Sequence, residues 1–122
     1  MLFPESQVRI WLCTQPTDMR KSYDGLATAV RQQLHEDPLS GALYVFINRR
    51  RTQMKILYFD RSGYCVWGKR LEQGRFHADR DPAGKRRLSW TELKLILEGI
   101  DQRSVRHFRR YRRPHGTGDR LP

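Results

Sequence analysis

Between Gly41 and Phe76 three apolar runs, Ala42 to Asn48, Gln53 to Asp60 and Tyr64 to Leu71, are separated by short turns rich in Arg, Asn, Asp and Gly. The runs are dominated by Val, Ile, Tyr, Phe and Trp, which pack well on a pleated surface, and each has the length of a strand. They predict a three-stranded antiparallel meander. Asp60-Arg61-Ser62-Gly63 has Asp at the first and Gly at the last position of a type I turn. Alternation sends Leu43, Val45 and Ile47 to one face and Tyr44 and Phe46 to the other, while Ile56 and Tyr58 oppose Leu57 and Phe59. Both faces are therefore apolar and need covers. One should take a helix of this chain and the other a second subunit, a partner or the remaining segments; a homodimer is the simplest closed solution.

Upstream, Val8 to Cys13 alternates weakly between Pro4 and Pro16 and predicts a fourth strand beside the meander. After Pro16 the period changes. Tyr23, Leu26, Ala27, Val30 and Leu34 recur at three- and four-residue spacing, predicting a helix over Ser22 to His35. Thr17 or Asp18 can cap an earlier turn and Ser22 is the alternative cap, while Asp37-Pro38 ends the element because a residue before proline avoids the helical region. Gln73 to Leu88 is almost without apolar residues and reads as a mobile basic loop. Ser89-Trp90-Thr91-Glu92 then forms a capping box ahead of Leu93, Ile96 and Leu97, predicting a short helix over Trp90 to Glu98 that Gly99 closes, with Ile100 folding back on it. The fold class is α+β: one domain over residues 1–101, an antiparallel sheet of about four strands, one longer and one short helix, and a basic tail over 102–122.

Charge changes the picture. With 24 Lys and Arg against 13 acidic residues the formal charge is +11, and Arg greatly outnumbers Lys, which favours bidentate phosphate recognition. Nucleic acid is the ligand class this balance indicates, with a merely solubilising surface or the docking of an acidic protein as the bland alternatives. The candidate contacts are Arg49, Arg50, Arg51 and Lys55 around one turn, Lys69, Arg70 and Arg75 after the last meander strand, and Lys85, Arg86 and Arg87 in the loop. Arg106, Arg109, Arg110, Arg112 and Arg113 follow in the tail, interleaved with Phe108 and Tyr111. The tail reads as disordered when free, with Pro114 stopping any helical extension.

Other chemistry fares less well. Asp18, Asp24, Asp60 and Glu72 are the carboxylates a metal-dependent nuclease would recruit, but a cap, a helix face and a turn explain the three aspartates, and nothing in the spacing makes the four converge. His35 suits a helix C-terminus, and His77, His107 and His115 stand among arginines without zinc-like spacing. No catalytic residue, metal or cofactor is expected. Cys13 and Cys65 read as buried free thiols, no run approaches the roughly 18 apolar residues of a membrane span, and a reducing, cytoplasmic setting is expected. Trp11, Trp67, Trp90, Tyr44, Phe46, Tyr58 and Phe59 can in principle stack on bases, although a domain this small needs them for its core.

Several spaced strings together resemble one family. They are Asp18-Met19-Arg20-Lys21-Ser22 with Asp24-Gly25-Leu26, Asp37-Pro38, Asn48-Arg49-Arg50-Arg51, Lys55-Ile56-Leu57-Tyr58, Lys69-Arg70-Leu71-Glu72 with Gly74-Arg75-Phe76, and Leu97-Glu98-Gly99-Ile100-Asp101. In this order, over roughly Trp11 to Asp101, the chain is similar to the TnpB-type accessory protein of insertion sequences of the IS sixty-six group. The resemblance implies a small protein encoded beside a transposase, needed for transposition but not itself performing strand transfer. Its implied partners are the transposase and other proteins of the same element, while nucleic acid, DNA in the first instance, is the partner expected from the charge. Three classes stay open at this point: a noncatalytic nucleic-acid-binding accessory factor, a protein adaptor without direct DNA contact, and a small metal-dependent nuclease.

Overall fold

The computed structural model describes residues 8–101 and 106–107. In chain order the elements are β1 (Ile10–Cys13), α1 (Tyr23–Gln32), β2 (Leu43–Ile47), β3 (Gln53–Asp60), β4 (Gly63–Arg70), β5 (Lys85–Leu88), α2 (Trp90–Leu97), β6 (Ile100–Asp101) and β7 (Arg106–His107). The first five strands form one sheet in the order β4-β3-β2-β1-β5, and β6 pairs antiparallel with β7 apart from it. The expected meander is β2-β3-β4, with Val45 opposite Ile56 and Ile56 opposite Trp67. No helix among the described residues is long and apolar enough to cross a membrane.

The sheet is mixed rather than antiparallel, and it has five strands rather than four. β1 runs parallel to β2, with Ile10 beside Leu43 and Leu12 beside Val45. A parallel pair needs a crossover, and α1 supplies it by carrying the chain back across the sheet before β2 begins. The second correction is β5, in the segment expected to be a mobile loop. Lys85 to Leu88 pairs antiparallel with β1, Leu88 opposite Ile10 and Lys85 opposite Cys13. A cationic strand suits this place, because charged side chains on an exposed edge discourage pairing with other chains.

Both faces of the sheet are covered by this chain. On one, Tyr44, Phe46 and Leu57 pack with Leu26, Ala27, Ala29, Val30 and Leu34 of the α1 segment. On the other, Leu43, Val45, Ile47, Met54 and Ile56 pack with Leu93 and Ile96 of α2 and with Phe76 from the β4–β5 connection. The alternation read from the sequence is borne out. Of the three covers expected for the far face it is the remaining segments that supply it, α2 and Phe76, so this face gives no reason to invoke a second subunit.

Local details differ where backbone geometry overrode pattern. α1 ends at Gln32 rather than His35: His35 takes φ 54° and the Glu36 amide reaches back to the Val30 carbonyl at 3.1 Å, a left-handed closure of the kind usually given to Gly or Asn. Tyr23, expected on the apolar face, is 49% exposed. Ser22 sits at the N-cap of α1 without a side-chain hydrogen bond, whereas the Ser89–Glu92 capping box of α2 is complete in both directions. α2 ends at Leu97, and Gly99 closes it at φ 75°. The β3–β4 turn lies at 60–63 as expected, but Arg61 at φ 52° excludes type I, whose twist would splay the strands. Cys13 is buried and Cys65 only half-buried; both are free.

Candidate nucleic-acid interface

The β2–β3 turn is built around Asn48. Its side-chain Oδ1 accepts the backbone amides of Thr52 at 2.8 Å and Gln53 at 3.0 Å, its Nδ2 donates to the Thr52 hydroxyl, and its carbonyl accepts the Arg51 amide at 3.0 Å. Asn is suited to this because its short amide imitates a backbone turn. Two residues of the β4–β5 connection hold the loop from outside. The Phe76 amide donates to the Arg51 carbonyl at 2.7 Å, and Arg80 donates through Nη2 to the carbonyls of Asn48 at 3.0 Å and Arg49 at 3.2 Å. The loop therefore presents three consecutive arginines on a braced backbone, with Arg49 and Arg50 exposed and Arg51 half-buried.

Topology gathers other cations at the same end of the sheet. Because β1 and β2 are parallel, the connection after Cys13 leaves beside the turn after Ile47, and the Thr17 amide donates to the Ile47 carbonyl at 3.0 Å. β4 also finishes here, Arg70 standing opposite Gln53, and exposed Arg75 follows. A groove of about 660 Å³ runs between the Pro16–Arg20 connection and the Asn48–Arg50 turn. On its rim Arg20 grips Asp18, with Nη2 2.6 Å from Oδ2, and these hydrogen bonds hold the Asp18 carboxyl down at about 2. Asp18 Oδ1 also accepts the Arg20 amide at 2.9 Å, so this carboxylate shapes the loop.

Other sequence-predicted residues are placed elsewhere or have their charge engaged within the protein. Lys55 reaches across the α1 face and donates to the Lys21 carbonyl at 2.7 Å. Lys69, on the opposite face, donates to the Leu97 carbonyl at 3.0 Å, where a cation complements the C-terminal end of α2. Lys85 pairs with Glu36, and Arg86 Nη1 lies 3.2 Å from Glu92. Lys85 and Arg87 both lie over the Trp11 ring, at 4.7 and 5.6 Å from its centroid. Arg70 meets Glu72 at 3.4 Å in solvent, a contact of little energetic weight. Arg106 is described only through its place in β7, and Arg109, Arg110, Arg112 and Arg113 lie outside the described residues.

Arg80 was missed by the sequence reading. It sits in a stretch with no periodicity, and the carbonyls it holds are 31 and 32 residues away in the chain, so no local signal marks it. Burial, and then the neighbouring charges of Arg51 and Arg49, push its guanidinium below the ordinary value. The aromatic candidates divide as a small core demands: Tyr44 and Phe46 are fully buried, while Trp11, Trp67, Trp90, Tyr58 and Phe59 are half-buried. Of the carboxylates, Asp60 begins the β3–β4 turn and Asp24 stands exposed in the first turn of α1. Among the described residues no three His, Cys, Asp or Glu side chains are grouped to hold a metal ion.

Fold and turn together define a small basic α+β domain with a braced arginine loop at one end of its sheet. Residues 8–107 match the family described as IS66 Orf2 like protein, and the chain belongs to that family of insertion-sequence accessory proteins, which are distinct from the transposase. Among its relatives, Uncharacterized protein y4hO of Sinorhizobium fredii is 38% identical over 103 residues, spanning 84% of this chain and 90% of its own length. Uncharacterized protein y4jC of the same organism is 33% identical over 106 residues, spanning 87% of this chain and 91% of its own. No solved structure matches the chain.

Proposed function

We propose that this protein is a noncatalytic transposition accessory factor that binds nucleic acid, in the first instance duplex DNA, and thereby assists the separate transposase of its element. The observation that carries this reading is the braced turn: three successive arginines held by Asn48, Phe76 and Arg80, with Arg70 and Arg75 at the same end of the sheet. Holding a backbone rigid under three like charges makes sense where a polyanion is the ligand, since the ordering is complete before binding and phosphate accepts guanidinium bidentately. Contacts of this kind fix affinity and position without reading sequence, so preference among DNA sequences should be modest. The interface centres on Arg49, Arg50, Arg51, Arg70 and Arg75, with the tail arginines Arg106, Arg109, Arg110, Arg112 and Arg113 adding to it. Lys55, Lys69 and Arg86 act within the fold.

Titrating the full chain against one duplex at several salt concentrations tests the reading. Each neutralised phosphate contributes about 0.9 to the slope of log affinity against log salt. A slope corresponding to several phosphates supports it. Salt-independent or undetectable binding, with capture of the element's other proteins retained after nuclease treatment, would replace it with the protein-adaptor reading.

A further inference from the structure

Beside the arginine turn the chain forms a second, concave feature. Arg51 and Arg80 line a cavity of about 260 Å³ together with His77, Ala78 and Asp79. That is several times the ~30 Å³ share of one water in the liquid and below the ~300 Å³ at which pockets for drug-sized ligands begin. The two guanidiniums come from segments far apart in the chain and are brought together by hydrogen bonds, Phe76 to the Arg51 carbonyl and Arg80 to those of Asn48 and Arg49. Neither makes an ion pair with a carboxylate among the described residues, although Asp79 lies on the wall. Arg51 Nε is buried with no hydrogen-bond partner. Arg51 also holds φ 61°, a conformation that a bulky side chain occupies at a penalty and that glycine occupies freely. A residue kept in a disfavoured conformation, with an unsatisfied donor, at the wall of a cationic cavity points to a ligand.

We propose that the Arg51–Arg80 cavity is a discrete oxyanion site that seats a single phosphate group, separate from the exposed Arg49–Arg50 contacts that follow the nucleic-acid backbone. This deepens the nucleic-acid reading and rests on it for the source of the phosphate. Arg51 would bind the oxyanion. Arg80 both lines the cavity and positions the turn, since one of its terminal nitrogens is already engaged with two carbonyls. The phosphate would be either an internal diester of a strand or the monoester at a strand end; both have the chemistry the site recognises.

The probe is inorganic phosphate, titrated into the full chain at constant ionic strength with chloride as the balancing anion, following the side-chain Nε–H signals of Arg51 and Arg80 by NMR. Saturable shifts of both are expected. The decisive variant is Arg51→Gly, which removes the guanidinium at a position whose backbone already suits glycine, so loss of binding with an otherwise unchanged amide spectrum is not misfolding. Phosphate affinity should fall roughly tenfold or more, the worth of a charge-assisted hydrogen bond. Arg87→Ala, at the β5 edge, should leave it unchanged. Comparing duplexes with and without a 5′ phosphate then identifies the source: a penalty of Arg51→Gly confined to the phosphorylated duplex assigns a strand end, and an equal penalty on both assigns an internal phosphate. Phosphate shifts that never saturate, or that are the same in Arg51→Gly, overturn the site. Wild-type duplex binding with a steep salt slope would then still stand, so failure here is distinguishable from failure of the broader reading.

Discussion

Arg80 donates from a single guanidinium nitrogen to the Asn48 carbonyl at 3.0 Å, tying the β4–β5 connection to a turn 32 residues earlier in the chain. The bond is part-buried and charge-assisted, and the same nitrogen reaches Arg49 as well. Arg80→Ala should therefore destabilise the fold by about 1–2 kcal/mol, toward the lower end for a bond to a charged group because the second contact is exposed. Urea unfolding measures it, and amide exchange at residues 48–52 should accelerate more than exchange in β2 or β3. Unchanged exchange in the turn would show that Arg80 does not brace it.

Asn48 holds the turn from inside. Asn48→Ala leaves the Thr52 and Gln53 amides without their acceptor, a loss of about 1–3 kcal/mol, whereas Asn48→Asp keeps the acceptor and should lose less. Equal losses for the two substitutions would show that the hydrogen bonds to Oδ1 are not what Asn48 contributes.

Arginines facing outward and lysines turned inward should separate in one set of salt titrations. Replacing Arg49 and Arg50 with Ala should lower the log-log slope for duplex DNA by up to about two, one for each lost phosphate contact, with little change in stability. Lys55→Ala and Lys69→Ala should do the reverse, since the first removes a hydrogen bond from the sheet to the segment leading into α1 and the second one to the end of α2. Replacing Arg109, Arg110, Arg112 and Arg113 together should lower the slope by several units. A quadruple variant with the wild-type slope would remove the tail from the binding surface.

Arg51→Gly should unfold within about 1 kcal/mol of wild type. Relief of the left-handed strain offsets the extra backbone freedom that glycine gives the unfolded chain. Arg51→Val should be clearly less stable, because a β-branched side chain tolerates this backbone worst. Thermal unfolding of the two variants beside wild type decides between this account and one in which Arg51 is needed for packing.

Glu92 carries a pH dependence. The Ser89 backbone N–H, and then Arg86, hold its carboxyl below the ordinary value of 4.5. A carboxylate lowered in the folded state stabilises it above the unfolded value, and that stabilisation is lost as pH falls through the folded value. The stability difference between wild type and Glu92→Gln should accordingly be full near neutrality and shrink as pH drops below about 4.5. Ser89→Ala, which removes the other half of the capping box, should destabilise by about 1 kcal/mol. A difference that stays constant to low pH would show that the ionisation of Glu92 contributes nothing to stability.

The sequence by itself determined the elements whose causes are local. Alternation placed Val45 and Phe46 on opposite faces of β2, the Ser89–Glu92 box started α2, and Gly99 ended it; each is a matter of neighbouring residues and backbone geometry. The run of arginines after Asn48 was equally legible, as was the family that the spaced motifs resemble. Tertiary structure decided whatever depends on a partner distant in the chain. β1 is parallel to β2 because α1 returns across the sheet, a direction that no strand states in its own residues. Lys85 to Leu88 is a strand because β1 offers it a free edge, and in isolation its cations read as loop. The same cause sorted the basic residues. Lys55, Lys69, Lys85 and Arg86 look like Arg49 and Arg50 in sequence, but a carbonyl or carboxylate from another segment meets each of the first four. Arg80, unmarked in the sequence, braces the turn because folding brings it beside the carbonyls of Asn48 and Arg49. Charge is a property of the residue, whereas its availability is set by what the fold places within hydrogen-bonding reach.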